Sequence, residues 1–356
     1  MTITFALPFV NLTGGIRMML EFANAMHDAG HAVTVVYPLW PYRFHFTARE
    51  RRQELRRELS RRPGVDWFDV RCRIARVPWI ADAFLPRADV IVATSWPVAH
   101  DVARLGPSRG RKVHVVMHHE SGTGPEERIR ATYRLPFHRL AVSNAVREEM
   151  EAHFACPIDA VVPAGIDPRR FFPDGRPDAA SVLMLYHNDP RKGADDGLAA
   201  LALVRAQHPD LKVRMCGTVR RAHMPPWVEF TFHPRDAILR RLYASSTVFL
   251  YSSRYEGFGI PPLEAMACGC PVVTTSVGAV PEFAIDNENA IVVAPGDVPG
   301  MAAGIHRVLS DGSTRRRLSL CGVETARRYA LDKVVSRFAV SLHRLTFADE
   351  ARRLVH

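Results

Sequence analysis

The sequence predicts an α/β protein with two doubly wound parallel sheets, each in a Rossmann-like domain of its own. Three observations lead there. Short, continuously apolar runs such as 90–93, 140–142 and 248–251 recur along the chain, and strands buried on both faces have that composition. Longer stretches with helical apolar spacing lie between them, the alternation that builds parallel sheets through crossover helices. A chain of 356 residues is long for one domain and natural for two, each large enough to bury a core.

Composition narrows the class. Hydrophobic residues make up 47% and charged residues 24%, the balance of a globular protein. No apolar run reaches the ~18 residues that span a bilayer. The N-terminus lacks a basic leader, so Ile3–Leu7 is expected to be a first strand and the location cytoplasmic. Six cysteines follow no metal-ligand spacing, and Cys268-Gly269-Cys270 sits in an apolar segment, so free thiols in a reducing compartment are expected. The net charge is +10, but residues 1–174 hold 24 Lys and Arg against 19 Asp and Glu, and the remainder 23 against 18. A nucleic-acid binder concentrates its charge on one face or domain. This even spread argues against such a partner.

The first domain opens with strand 3–7 and the loop Pro8–Gly15, then Ile16, Met19, Leu20, Ala23 and Met26 at helical spacing, then a strand from His31 to Tyr37. This is a βαβ unit whose first loop holds the pair Gly14-Gly15. Tight turns and phosphate-binding loops use such a pair equally. Arg49 to Arg62 reads as a Glu-interleaved helix whose apolar face is only Leu55 and Leu59. A solvated face is expected there, with peripheral contact at the inner face of a membrane as the alternative. Further strands are expected at 90–93, 113–117, 140–142 and 160–162. Ligands of doubly wound sheets lie beyond the carboxyl ends of the strands, which singles out His118, His119 and Glu120 after the second of these. Adjacent side chains on extended backbone point to opposite sides, so one histidine is expected to face a ligand while the other packs or meets solvent. The strand ends immediately before His118, which favours His118. Ser143 is expected to cap the helix holding Val146 and Met150.

The stretch 174–180, with Gly175 and Pro177, is polar and punctuated, and marks the expected linker between domains 1–174 and 175–335. After strand 181–186 comes a loop holding Arg191, Lys192 and Gly193. Lys192 is one of four lysines in an Arg-rich chain, and a compact ammonium suits a phosphate contact. Strands follow at 213–217 and 228–230. Strand 248–251 then leads through Tyr255–Gly259 into a helix with Pro262 in its first turn. The start of a helix presents backbone N–H groups and a positive dipole end to oxyanions and hydroxyl-rich ligands. Glu256 and Glu264 bracket that start and can accept hydroxyl hydrogen bonds.

Glu256–Ala267, reading Glu-Gly-Phe-Gly-Ile-Pro-Pro-Leu-Glu-Ala-Met-Ala, resembles with the following Cys268–Val273 the donor-site signature of family 4 glycosyltransferases of the GT-B fold. The resemblance extends to the Gly14-Gly15 loop, to Val162–Asp167 with Phe171–Pro173, to the Pro-Arg-Lys-Gly loop at 190–193, and to 274–282. Two positions depart from the family: Ala164 stands for its usual Asn, and Asn289-Ala290 for its Asn-Gly. The family also carries an Arg five or six positions before the Lys, where this chain has His187 and Tyr186, so the expectation is either Arg191, Arg17 or a histidine as the second cation, or an altered donor site.

The resemblance implies two Rossmann-like domains facing across a cleft, acceptor side first and nucleotide-sugar side second, with a C-terminal helix over 336–356 crossing back to the first. It implies retaining transfer from a nucleoside diphosphate sugar to a glycan, lipid-linked sugar or small-molecule acceptor, with no metal or other cofactor. Glu256 then contacts the donor sugar, and Glu264 the ribose. Amides at Gly257, Phe258 and Gly259 meet the sugar or phosphate, and Lys192, Arg191, Gly14 and Gly15 lie at the diphosphate. His118 or His119 stands near the acceptor. A GT-B nucleotide-sugar epimerase and a non-catalytic nucleotide-sugar-binding subunit are the alternatives.

Overall fold

The structure is a computed structural model that describes residues 1–40, 42, 47–175, 177, 180–219, 221 and 223–353, without the side chains of 48, 51, 54 and 347–353. Contacts divide the chain into two compact units, Met1–Pro163 with Val334–His356, and Ala164–Lys333.

In the first unit the order is β1 (Thr2–Ala6), α1 (Gly14–Asp28), β2 (Ala32–Pro38), α2 (Ala48–Ser60), β3 (Arg73–Val77), β4 (Val90–Ala93), α3 (Trp96–Ala103), β5 (Arg111–Val116), α4 (Glu126–Thr132), β6 (His138–Ala141), α5 (Asn144–Phe154) and β7 (Ala160–Val161). The second unit has β8 (Ser181–Leu185), α6 (Ala194–Gln207), β9 (Lys212–Gly217), β10 (Val228–Phe232), α7 (Asp236–Ser245), β11 (Val248–Tyr251), α8 (Ile260–Ala267), β12 (Val272–Thr275), α9 (Val280–Phe283), β13 (Ile291–Val293), α10 (Val298–Ser310) and α11 (Gly312–Arg328). The last helix, α12 (Leu331–Arg353), begins in the second unit and continues into the first.

Each unit holds one parallel sheet, ordered β3-β2-β1-β4-β5-β6-β7 and β10-β9-β8-β11-β12-β13. Both are doubly wound: the strand order reverses between β1 and β4 in one sheet and between β8 and β11 in the other. The loops leaving two such strands part to opposite faces and open a crevice at the sheet's carboxyl edge. Helices cover both faces, so β4, β11 and β12 are buried along their whole length. In the second unit Val182, Met184, Val213, Met215, Val248 and Leu250 pack beneath Leu201, Met301 and Ile305.

Three strands were not expected from the sequence: β3 and β13, at sheet edges, and β12, between β11 and β13. Of Arg73–Val77 only Val77 is buried, so the segment lacks an apolar run. The Arg-rich segment forms α2, started by a Thr47–Glu50 capping box. Its expected apolar face does not close, since Leu59 is 60% exposed. Cys268 and Cys270 are buried free thiols, and burial raises both pKa values.

The division between units falls at Pro163 and Ala164, ahead of 174–180, of which Arg176, Asp178 and Ala179 lie outside the described residues. Local bonding explains the position. Ile166 exchanges backbone hydrogen bonds with Tyr329 and Leu331 at 2.8 and 2.9 Å, and the Phe171 ring meets Tyr243. Residues 166–171 are thereby tied to the second unit. On α12, Phe338 is fully buried against Phe5 and Phe22, with ring centroids at 6.1 and 5.0 Å. Phe338→Ala should therefore destabilise the first unit by about 3–5 kcal/mol in denaturant unfolding. A change within 0.5 kcal/mol would show that α12 is not docked there.

Candidate active site

The second unit's crevice lies between the loop after β8 and the loop after β11, and these loops touch. The carbonyl of Arg191 accepts from the amides of Arg254 and Tyr255, at 2.7 and 3.2 Å. Gly193 is left-handed, with φ of 60°, and a Cβ there would stand 1.9 Å from the Ser252 carbonyl oxygen. Only glycine meets both demands, which accounts for the last residue of Pro-Arg-Lys-Gly. The contact brings Lys192 to Glu256, whose two carboxylate oxygens lie 2.8 and 2.9 Å from Nζ.

Three side chains besides Lys192 define this corner. The Ser253 hydroxyl donates to Glu256 at 2.7 Å. Burial, then the Glu256 charge, pushes the pKa of the buried Tyr251 hydroxyl well up, so it stays protonated. Arg254 holds Asp196 through two bonds of 2.6 and 2.7 Å. None was singled out from the sequence. Tyr251 and Ser253 stand at i and i+2 on extended backbone, the spacing that puts both on one side. That signal was available.

Gly257, Phe258 and Gly259 lead into α8. Gly259 is its left-handed N-cap, and no side chain caps the helix start. The Phe258 ring is buried against Phe283 and Tyr329, so this residue anchors the loop by its side chain. Glu264 is 6% exposed and accepts from the Tyr243 hydroxyl at 3.1 Å. Burial and the Glu264 charge keep that phenol protonated.

The second cation has no occupant at the family position. His187 has its pKa lowered by burial and by Lys192, so it holds no charge at neutral pH. Arg191 is engaged by Asp189 at 2.7 Å, which holds that carboxyl below the usual range. His187, Asn188, Asp189, Asp195, Arg221 and Arg254 line a groove of about 270 Å³. The groove shares the β8 loop with Lys192 but does not include Lys192 or Glu256 in its lining.

In the first unit, Gly15 lies in the first turn of α1, and a Cβ there would come 2.5 Å from Met117 Sδ. The glycine loop therefore meets the end of β5, next to His118. The two histidines differ, as alternation requires. His119 stacks on Phe154 at 4.4 Å, and its ring nitrogens lie 2.9 Å from the Tyr133 hydroxyl and 3.2 Å from Glu126. His118 Nδ1 lies 3.0 Å from its neighbour's carbonyl. Glu120 accepts from the Trp96 amide at the start of α3, at 2.7 Å. Burial pushes its carboxyl up to about 8 against the opposing pull of that amide. Ser143 caps α5 by accepting from the Val146 amide at 3.0 Å.

Two doubly wound units, the second with a cation and a carboxylate at its strand reversal, are the architecture of GT-B enzymes. The family model for Glycosyltransferase Family 4 matches residues 12–170, and that for Glycosyl transferases group 1 matches 169–322. The chain belongs to the family 4 glycosyltransferases of the GT-B fold. O-antigen chain mannosyltransferase B of Escherichia coli is 37% identical over 112 residues, which cover 32% of this chain and 29% of that protein. The chain spans between 29% and 49% of the length of the first curated relatives it matches. Among solved structures, a sucrose-phosphate synthase from Thermosynechococcus elongatus superposes with a TM-score of 0.77 at 17% identity, covering 98% of this chain and 99% of that one. Anabaena HepE in complex with UDP-glucose does so with 0.73 at 16%, covering 96% and 99%.

Two outcomes follow for the first unit. His119→Ala should lose roughly 2 kcal/mol, a drop of about 4–8 °C in Tm. Melting of this variant like the wild type would contradict the packing role of His119. For Glu120, the folded pKa of about 8 stands above the usual 4.5. The unfolded carboxyl loses its proton first, so the wild type loses stability as pH rises from about 4.5 to about 8. Glu120→Gln keeps an acceptor for Trp96 and should gain on the wild type across that window in urea unfolding. A gap that is constant with pH would contradict the burial of this carboxyl.

Proposed function

We propose that the protein is a retaining glycosyltransferase that moves a sugar from a nucleoside diphosphate sugar to a hydroxyl-bearing acceptor, without an obligatory metal. The observation that carries this reading is the meeting of Lys192 and Glu256 at the β8/β11 reversal, beside the start of α8. Lys192 and the first amides of α8 receive the diphosphate, and Glu256 accepts from hydroxyls of the donor sugar. Glu264 holds the ribose, a role for which Tyr243 fixes its carboxylate.

Negative charge grows on the diphosphate as the bond from the anomeric carbon to the phosphate oxygen breaks, and Lys192 acts on that charge. The acceptor hydroxyl attacks from the face the diphosphate leaves. A new carbon–oxygen bond forms there, and a departing phosphate oxygen takes the hydroxyl proton. Configuration is then retained. His118 serves the acceptor side, where an imidazole can orient a hydroxyl, and the Gly14-Gly15 loop serves the diphosphate.

The acceptor is a glycan, a lipid-linked sugar or a small molecule. Mannosyl transfer is the first activity to assay, given the E. coli relative's name, with UDP-glucose as the second donor. Among the described residues no helix is long and apolar enough to cross a membrane. Arginines along α2 would supply peripheral contact to an acidic bilayer if the acceptor is lipid-linked.

With the donor that the wild type turns over, Lys192→Ala should lower kcat about a hundredfold while donor Kd rises less, and a chelator should leave the rate unchanged. Full turnover by Lys192→Ala would overturn the assignment.

A further inference from the structure

We propose that the Lys192–Glu256 pair is a charge lock, through which the donor site favours an intact nucleotide sugar over the nucleoside diphosphate left after transfer. The inference rests on the donor reading above and adds what the carboxylate does to the diphosphate.

Glu256 is fixed rather than loosely paired. Its side chain is 11% exposed and receives Lys192 on both oxygens and the Ser253 hydroxyl on one. The neighbouring Tyr251 phenol stays protonated, and Lys192 is the cation bonded to the carboxylate. Lys192 is 39% exposed and spends part of its three-donor capacity on Glu256.

A phosphate oxygen that binds the open side of this ammonium comes within about 6 Å of the carboxylate, two hydrogen-bond lengths away. Like charges that close, in a partly desolvated corner, repel appreciably. A bare diphosphate is therefore attracted by Lys192 and repelled by Glu256 at once.

A sugar on the diphosphate changes the balance, because its hydroxyls donate to Glu256 and offset the carboxylate's charge. Once the sugar has moved to the acceptor, those donors are gone and the repulsion remains. The pair thus selects substrate on entry and helps expel product. An ion pair that only tied two loops together would make a different prediction: its loss would lower stability and leave diphosphate affinity unchanged or weaker.

The test is calorimetric titration of the full chain at low ionic strength with inorganic pyrophosphate, UDP, GDP, UDP-glucose and GDP-mannose. Wild type, Glu256→Gln and Glu256→Ala are compared, each checked for folding by its Tm. Both variants should bind pyrophosphate, and whichever diphosphate the wild type binds, about tenfold tighter than the wild type does. The gain should shrink as salt is added. The nucleotide sugar that the wild type binds should gain nothing or weaken. Pyrophosphate binding that is unchanged or weaker in both folded variants overturns the lock and leaves the transferase reading standing. A folded wild type that binds none of the five overturns the donor reading, and the lock with it.

Discussion

The parallel pairing of β8 with β11, at the place where the second sheet reverses its strand order, is the constraint on which the candidate site depends. Leu183 pairs with Phe249 and Met184 with Leu250, so both strands end at nearly the same height. Their loops leave side by side. One carries Lys192 and the other Glu256, and the contact of Gly193 with the Ser252 carbonyl leaves no room to slide one past the other. Packing of both strands fixes the register, since a slip of one residue would turn Val248 and Leu250 from the Leu201 and Met301 side of the sheet to the opposite face. The charged corner is thus held by the apolar packing beneath it.

The same geometry governs the first unit with different side chains. Its sheet reverses between β1 and β4, and Met117 at the end of β5 packs against the glycine turn of α1. The groups collected there are imidazoles and a buried carboxyl rather than a fixed cation. Such groups orient and exchange protons with a neutral hydroxyl, whereas the second unit's Lys192 answers to phosphate charge. The contrast agrees with a division of labour between a side for acceptors and a side for charged donors.

Much of this was legible in the sequence because parallel strands announce themselves as unbroken apolar runs. Val248–Tyr251 and Val90–Ala93 could be read directly. β3 could not, because an edge strand carrying two arginines needs only one buried residue. The candidate donor-site residues were named through motif resemblance, but their mutual contacts were not legible. That Glu256 is bound by Ser253, that Arg254 holds Asp196, and that His119 stacks on Phe154 all depend on pairings set by tertiary structure. Sequence alternation predicted that the histidines would differ. Phe154, Tyr133 and Glu126 set how His119 packs.

The missing arginine before Lys192 sharpens the account. His187 supplies no charge in its place and Arg191 is engaged by Asp189, which leaves Lys192 and the start of α8 as the main attraction for a diphosphate in this unit. The most direct measurement is therefore an experimental structure of the protein with UDP or GDP bound. The account predicts the β-phosphate within hydrogen-bond reach of Lys192 Nζ and the first amides of α8, with the ribose hydroxyls on Glu264. A diphosphate bound elsewhere in the second unit, with Lys192 still closed on Glu256 alone, would contradict it.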